Sequence, residues 1–147
     1  MVAKSHLPIR CAALLGLLGG TPALAATVTV AVTGAIDRRG QIVACLWRDK
    51  TGFPNCDKTK SAQTKMVRID SASTVIVFTD VVPGAYAIMV AQDRTMDGKV
   101  GTNFPGISNE PVGLSNDARA RFGPPKFSAA AFRLSGDTAI TITLAKP

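Results

Sequence analysis

Residues 27–33 read Thr-Val-Thr-Val-Ala-Val-Thr, in which a valine occupies every second position. Side chains of a strand alternate between its two faces, so this stretch predicts a β-strand with one valine-lined face turned toward a core. Residues 138–144 repeat the alternation, with isoleucine and leucine at the inward positions. The two stretches lie near opposite ends of the chain and predict the same kind of half-buried strand.

Five further segments between these two have the composition of short strands. Residues 41–47 and 73–79 are apolar on both faces, which predicts central strands. The other three are residues 65–70, 85–91 and 130–134, and the second of them follows a Pro-Gly turn.

Seven short strands with few stretches of helical period predict one antiparallel β-sandwich domain over residues 26–147. Turn-forming residues at 37–40 and 135–137 predict hairpin connections. Residues 92–128 follow neither period, so we expect one long irregular loop there. Long ordered loops in compact domains are usually functional, which makes this loop the first place to look for a site.

The first 25 residues have the pattern of a secretory signal peptide. A basic start with Lys4 and Arg10 precedes a short apolar run, and Ala23-Leu24-Ala25 supplies the small residues at which signal peptidase cuts. The apolar run is shorter than the ~20 residues that a membrane-spanning helix needs. We therefore expect cleavage after Ala25, an exported mature domain at residues 26–147, and no transmembrane segment in it.

The expected mature chain contains no histidine, because the single histidine of the sequence is His6. Histidine is the usual general base near neutral pH and a common metal ligand, so Ser-His-Asp and Cys-His catalysis are excluded. Paired carboxylates remain, but Glu110 is the only glutamate and the aspartates lie mostly in turn-like contexts. We expect a protein that is not an enzyme, with a carboxylate-dependent hydrolase as the less favoured alternative.

Cys45 and Cys56 remain as an even pair once Cys11 is removed with the signal peptide. Exported proteins form disulfides because their surroundings are oxidising, so we expect a Cys45–Cys56 bridge rather than two free thiols. In the chain-entropy model a loop of this length contributes about 3 kcal/mol.

Residues 93–98 begin like a calcium-binding loop. Asp93, Thr95 and Asp97 place oxygen atoms at alternate positions before a glycine, and Asn103 offers one more oxygen. Phe104 occupies the twelfth position, where such loops carry an acidic ligand. Two interpretations remain: a weak calcium-stabilised module, or a hydrogen-bonded Asp-Gly turn in a protein without a cofactor.

Arg119 and Arg121 are candidates for binding an anionic ligand or partner, because guanidinium groups match carboxylate and phosphate. The favoured alternative is structural: both arginines tie the long loop to the sandwich through Asp117 and backbone carbonyls. Ser115 or Asn116 is expected to cap a single helical turn in the same segment.

The net charge of the mature chain comes from residues 37–68, which carry eight basic residues against three acidic ones. An exported protein rarely meets nucleic acid and the stretch lacks an array of aromatic side chains, so nucleic acid is not an expected partner. Anionic polymers or lipid head groups of the cell envelope are better candidates, and a solvated polar face is the simplest interpretation.

Five motifs follow one another along the mature chain. They are Asp37-Arg38-Arg39-Gly40-Gln41, Thr51-Gly52-Phe53-Pro54, Pro83-Gly84-x-Tyr86-Ala87, Asp93…Asp97-Gly98-Lys99…Thr102-Asn103 and Ser115-Asn116-x-Ala118-Arg119-x-Arg121-Phe122-Gly123-Pro124-Pro125-x-Phe127. Together they resemble an uncharacterised bacterial family, domain of unknown function 2141. The resemblance implies an exported bacterial β-sandwich without catalytic activity, and the Pro-Gly-x-Tyr turn is similar to that of transthyretin-like and carboxypeptidase-regulatory-like modules.

Members of that family commonly carry a His-Asp-x-Asn-x-Asn/Asp-Gly-Lys-x-Asp-x-Asn loop. Here Gln92 stands at the histidine position, Thr95 at the third loop position and Gly101 at the late aspartate. These departures weaken the case for a cation in this chain.

The sequence therefore predicts a non-enzymatic β-sandwich, Ig-like or transthyretin-like, in the periplasm or secreted. We expect it to bind or support an unknown component of the bacterial cell envelope, with residues 92–128 as its working surface.

Overall fold

The computed structural model describes residues 24–58, 60–100, 102–103, 107–119 and 123–146. Its strands are β1 (Ala26–Thr33), β2 (Gln41–Trp47), β3 (Ala62–Arg68), β4 (Thr74–Val81), β5 (Gly84–Asp93), β6 (Thr102–Asn103), β7 (Ile107–Ser108), β8 (Val112–Leu114), β9 (Phe132–Leu134) and β10 (Thr138–Thr143). Its helical pieces are two 3₁₀ turns, Cys56–Lys58 and Ser115–Asp117, and one four-residue turn, α1 (Phe127–Ala130). No helix within these residues is long and apolar enough to cross a membrane.

Two main sheets form the domain, so the predicted all-β sandwich is confirmed. The smaller sheet has the order β10-β1-β4. In the five-stranded sheet, β3, β2, β5 and β8 lie side by side, and β9 pairs with the first residues of β5. The strand pairs are antiparallel, except that β1 and β10 run parallel, with Val30 beside Ile140. The two-residue strands β6 and β7 pair with each other.

The main core lies between the two sheets and is built from the inward faces that the alternation predicts. Val28, Val30 and Val32 of β1 are at most 2% exposed. They belong to one apolar cluster with residues of the facing sheet, such as Ile42 and Ile88. Burial of such side chains is the dominant stabilising contribution, at about 2 kcal/mol for each large residue.

The five-stranded sheet is covered on its second face as well. Val43, Cys45 and Trp47 of β2 are fully buried there, in a second apolar cluster. The cover consists of residues 48–58, 94–100, 115–119 and 123–130, which we call the covering layer. Phe53 and Phe127 are its large apolar contacts. The prediction that β2 is a central strand is confirmed, because both of its faces are buried and it has a neighbour on each side.

The corresponding prediction for residues 73–79 is wrong. Strand β4 is an edge strand of the smaller sheet, and its side chains alternate between buried and exposed. Val75 and Val77 face outward and are 54% and 38% exposed. The apolar run was misleading because isolated apolar residues are common on protein surfaces.

The two predicted hairpins are also wrong. Residues 34–40 connect β1 to β2, and residues 135–137 connect β9 to β10, and in each case the two strands belong to different sheets. The turn residues do reverse the chain, but they carry it across the sandwich. Gly40 has φ +85°, and a side chain there would collide with the backbone carbonyl of Asp93.

The expected irregular loop at residues 92–128 is partly regular. Strand β5 continues to Asp93, and β8 adds to the same sheet through the pairs Met89–Leu114 and Ala91–Val112. The remainder of the described segment forms much of the covering layer.

Candidate functional site

Strand β2 pairs along its whole length with β3 on one side and β5 on the other. The two ends of this three-stranded part of the sheet differ in chemistry. At one end Gln41 is paired with both Arg68 and Asp93. At the other end Trp47 is paired with both Ala62 and Ala87. We call the first the Asp93 end and the second the disulfide end, because the Cys45–Cys56 bridge lies beside Trp47.

The Asp93 end is organised around one buried carboxylate. Asp93 is fully buried at the end of β5 and accepts four hydrogen bonds. Its Oδ1 accepts from the backbone N–H of Met96 at 2.7 Å and the hydroxyl of Thr95 at 3.1 Å. Its Oδ2 accepts from the backbone N–H of Gly98 and the side-chain amide of Gln41, both at 2.8 Å. One side chain thus fixes the whole turn at residues 93–98.

These hydrogen bonds set the ionisation of Asp93. Burial is the largest single influence and by itself raises the pKa. The hydrogen bonds from Gln41, Gly98, Thr95 and Met96 together outweigh it, so the pKa of Asp93 lies below its usual value. The carboxylate is therefore charged at neutral pH, and no cationic side chain of the described residues forms an ion pair with it.

The other predicted calcium ligands are dispersed around this turn. Thr95 donates to Asp93, and exposed Asp97 accepts the backbone N–H of Lys99 at 2.9 Å. Asn103 lies in β6, and its side chain falls outside the described part of the chain. Within that part no three acidic, cysteine or histidine side chains converge as metal ligands would. The calcium site stays a prediction, and an ion at Asp93 would have to replace hydrogen bonds that the chain already makes.

Gln92 is a second buried polar residue at this end, and the sequence analysis did not identify its role. Its Oε1 accepts the backbone N–H of Ile36 at 2.9 Å. Its amide nitrogen lies 3.1 Å from the backbone carbonyl oxygens of Asp37 and Arg39 and from Oδ1 of Asp37. Gln92 thereby fixes the β1–β2 connection. The sequence does indicate that this residue is buried, because position 92 continues the inward-facing alternation of Tyr86, Ile88 and Val90 in β5.

Exposed arginines surround these buried groups. Asp37 pairs with Arg39 at 3.0 Å and with Arg94 at 2.9 Å. The backbone N–H of Arg39 and then the two guanidinium groups hold the pKa of Asp37 below its usual value, against a weaker opposing effect of partial burial. Arg38 and Arg68 are exposed nearby. With Lys99 this end has five basic side chains, and its charges are balanced by five acidic residues, which are Asp37, Asp70, Asp93, Asp97 and Glu110.

The disulfide end is held by a covalent bond and by edge-to-face aromatic contacts. Cys45 and Cys56 form the expected disulfide, with their Cα atoms 6.1 Å apart. The Trp47 and Phe53 rings meet edge to face at 5.1 Å, and those of Phe53 and Phe127 at 5.7 Å. The indole N–H of Trp47 is buried and has no hydrogen-bond partner within the described residues.

Exposed basic side chains lie around the disulfide end. Arg48 follows β2, Lys60 precedes β3, and Arg133 lies in β9 opposite Ala85. Lys50 and Lys126 flank the segments that contribute Phe53 and Phe127. All five of these basic side chains are exposed, and none belongs to an ion pair among the described residues.

The carboxylates nearest to these cations accept hydrogen bonds from backbone N–H groups or belong to the smaller sheet. Asp49 and Asp57 each accept a backbone N–H within the covering layer, at 2.7 and 3.3 Å. Asp80 lies in β4, and Asp137, next to β10, accepts a backbone N–H of β1. Packed sheets are about 10 Å apart, which is roughly the screening length at physiological salt. Because the five basic side chains outnumber Asp49 and Asp57, the outer surface of the disulfide end is basic.

The predicted arginine pair is not assembled in the described residues. Arg119 is exposed and pairs with equally exposed Asp117 at 3.2 Å, and Arg121 lies outside the part of the chain that the structure describes. An ion pair this exposed contributes little to stability.

Ser115 joins two layers instead of capping a helix, which corrects the capping prediction. Its buried hydroxyl accepts the backbone N–H of Ile88 at 2.9 Å and donates to the carbonyl of Ala130 at 2.6 Å. The amide of Asn116 donates to the carbonyl of Ala131 at 2.7 Å, and the 3₁₀ turn has no side-chain cap. The segment at 115–117 therefore ties α1 to β5.

Comparison with known proteins identifies a family for this architecture. No curated protein and no solved structure matches the chain significantly. A family model described as an uncharacterized protein conserved in bacteria, DUF2141, matches residues 30–143. That span covers both sheets and both ends of the five-stranded sheet. The chain belongs to this family of conserved bacterial proteins of uncharacterised function.

Proposed function

We propose that the protein is a non-catalytic, exported binding module whose disulfide end takes an anionic polymer of the cell envelope. The observation that carries this proposal is the set of five exposed basic side chains at that end, none of them ion-paired among the described residues. Cations that are not held in ion pairs can turn toward an external anion, and here they outnumber the nearby carboxylates.

Rigidity of the surface supports the same proposal. The disulfide and the edge-to-face ring contacts hold residues 48–56 and α1 against the sheet. Because the backbone under the cations is already fixed, only their side chains lose conformational freedom on binding, which favours affinity. A disulfide also suits an oxidising compartment, in agreement with the expected periplasmic or secreted location.

The absence of histidine from the expected mature chain supports a role in binding over one in catalysis. Asp93, the buried carboxylate of the Asp93 end, makes hydrogen bonds to its own chain that hold it in the charged form. A general acid or base instead needs a pKa near the working pH. Its lowered pKa makes Asp93 a poor candidate for such a role.

The test measures binding of long-chain polyphosphate at several salt concentrations, by fluorescence anisotropy of a labelled polymer. The double variant Arg48→Glu/Arg133→Glu reverses two charges at the disulfide end. We expect it to weaken binding about tenfold, which corresponds to about 1.4 kcal/mol. Binding by the unaltered protein should also weaken as salt is raised.

The matched control is Arg38→Glu/Arg68→Glu, which makes the same change in net charge at the Asp93 end. We expect its affinity to fall by less than about threefold, because the polymer contacts the other end. Equal losses in the two variants would mean that net charge alone attracts the polymer, and the proposed surface would then be wrong. Absence of binding by the unaltered protein would also reject the proposal.

A further inference from the structure

Two methionines are exposed at the turn formed by residues 93–98, one within it and one packed against it. Met66 of β3 is 49% exposed and Met96 of the turn is 42% exposed. A side chain at Gly98 would meet the Met66 methyl group, so this methionine packs on the turn. Met96 is fixed by the hydrogen bond from its backbone N–H to Asp93, at a φ of 59°.

Each of the two sulfur atoms faces an N–H donor. The side-chain amide of Gln41 lies 3.8 Å from Sδ of Met66. The guanidinium of Arg68 lies 3.7 Å from Sδ of Met96. Thioether sulfur is a weak acceptor, so these donors gain little from the reduced side chains. A sulfoxide oxygen, in contrast, is polar and accepts strongly.

We propose that Met66 and Met96 are a paired methionine-oxidation site for peroxide-class oxidants. In each reaction the sulfur lone pair attacks one peroxide oxygen, the O–O bond breaks and an S–O bond forms. The sulfur is oxidised by two electrons, and the second peroxide oxygen leaves as water with both protons when hydrogen peroxide is the oxidant. The new oxygen accepts a hydrogen bond from Gln41 at Met66 and from Arg68 at Met96.

The third methionine of the expected mature chain shows why the position matters. Met89 is 6% exposed and belongs to the apolar cluster beneath the covering layer. A sulfoxide there would place a polar group among apolar side chains, whereas at Met66 and Met96 it meets solvent and a donor. Oxidation of the exposed pair therefore leaves the core of the sandwich intact.

The first test treats the folded, full mature protein with hydrogen peroxide and follows its intact mass. We expect uptake of two oxygen atoms, about 32 Da, with peptide mapping placing them at Met66 and Met96. Met66→Leu and Met96→Leu should each take up one oxygen, and the control Met89→Leu should still take up two. Oxidation of Met89 at the same rate as the other two would overturn the proposal.

The second test asks whether the donors accept the sulfoxides. Oxidation should lower the melting temperature of the unaltered protein by less than about 2 °C. In Arg68→Ala we expect oxidation to lower it by about 3 °C more, because the sulfoxide of Met96 loses its donor. The double variant Met96→Leu/Arg68→Ala should lose this extra sensitivity. An equal effect of oxidation with and without Arg68, or unfolding of the unaltered protein on oxidation, would contradict the proposed role of the donors.

Discussion

The two ends of the five-stranded sheet attach the covering layer by opposite means. At the Asp93 end, buried Asp93 and Gln92 are surrounded by donors of the chain itself, and the nearby charges are balanced. At the disulfide end, the attachment is covalent and apolar, and the cations around it lack carboxylate partners among the described residues. Groups already satisfied within the chain have little left to offer a ligand. The comparison therefore assigns a structural role to the first end and a binding role to the second.

The largest effect is expected from Gly40→Ala at the Asp93 end. A β-carbon there is strained at a φ of +85° and would collide with the carbonyl of Asp93. Strain and steric overlap together should cost about 3–5 kcal/mol in the free energy of unfolding, measured by urea denaturation. Gly136→Ala is the control, since a β-carbon at Gly136 has open space. A change below about 1 kcal/mol at Gly40 would mean that the β1–β2 connection is not locked against β5.

The disulfide end should respond next, to removal of its bridge. Cys45→Ser/Cys56→Ser is expected to lower the free energy of unfolding by about 3 kcal/mol, mainly by loosening the constraint on the unfolded chain. Fluorescence of Trp47, the only tryptophan, reports the local packing in the same experiment. If the disulfide end depends on its bridge as proposed, polyphosphate binding should weaken in this variant. Unchanged binding would show that the ring contacts alone keep the surface in place.

These first two predictions differ in how much of their basis can be derived from sequence. The disulfide was predicted from an even cysteine count and an expected exported location, and β1 and β10 were predicted from their alternation. The lock at Gly40 does not, because it depends on a contact between residues 53 positions apart that only the folded chain brings together. Turn residues show where the chain reverses but not which sheet the next strand joins, and both hairpin predictions failed for this reason.

The candidate site shows the same division. The spacing of residues 93–98 allows two interpretations, a calcium-binding loop or an Asp-Gly turn. The structure adds the hydrogen-bond donors of Asp93, which the spacing cannot show. The alternation of β5 indicates that Gln92 faces inward, but its partners cannot be derived from the sequence, because they lie 53 to 56 positions away in the chain. The basic surface was traced to residues 37–68, but Lys126 and Arg133 join it through folding alone.

A smaller effect is expected from Asp93→Asn, which removes the charge that the turn stabilises. The pKa of Asp93 is lower in the folded chain than its unfolded value of about 3.9, so its contribution is complete above that pH and is lost as pH falls through the folded pKa. The variant should lose about 2 kcal/mol at pH 7 and show a flatter decline of stability below pH 4. Thermal melts from pH 7 to pH 2 measure both. Asp97→Asn, an exposed control, should keep the steep decline.

The smallest effect is expected from calcium. Because all four donors on Asp93 come from the chain, we expect 5 mM calcium to change the melting temperature by less than about 1 °C. A clear rise that Asp97→Asn removes would instead support the calcium-stabilised module and would make the Asp93 end a binding site.

The division between the two ends is tested most directly by backbone amide chemical shifts during titration with polyphosphate. We expect the largest changes in residues 48–60 and 126–133, with those at 93–99 nearly unmoved, and reversal of the changes at high salt. Changes centred on residues 37–41 and 93–99 would contradict the assignment, because the end that is satisfied within the chain would then be the one that binds.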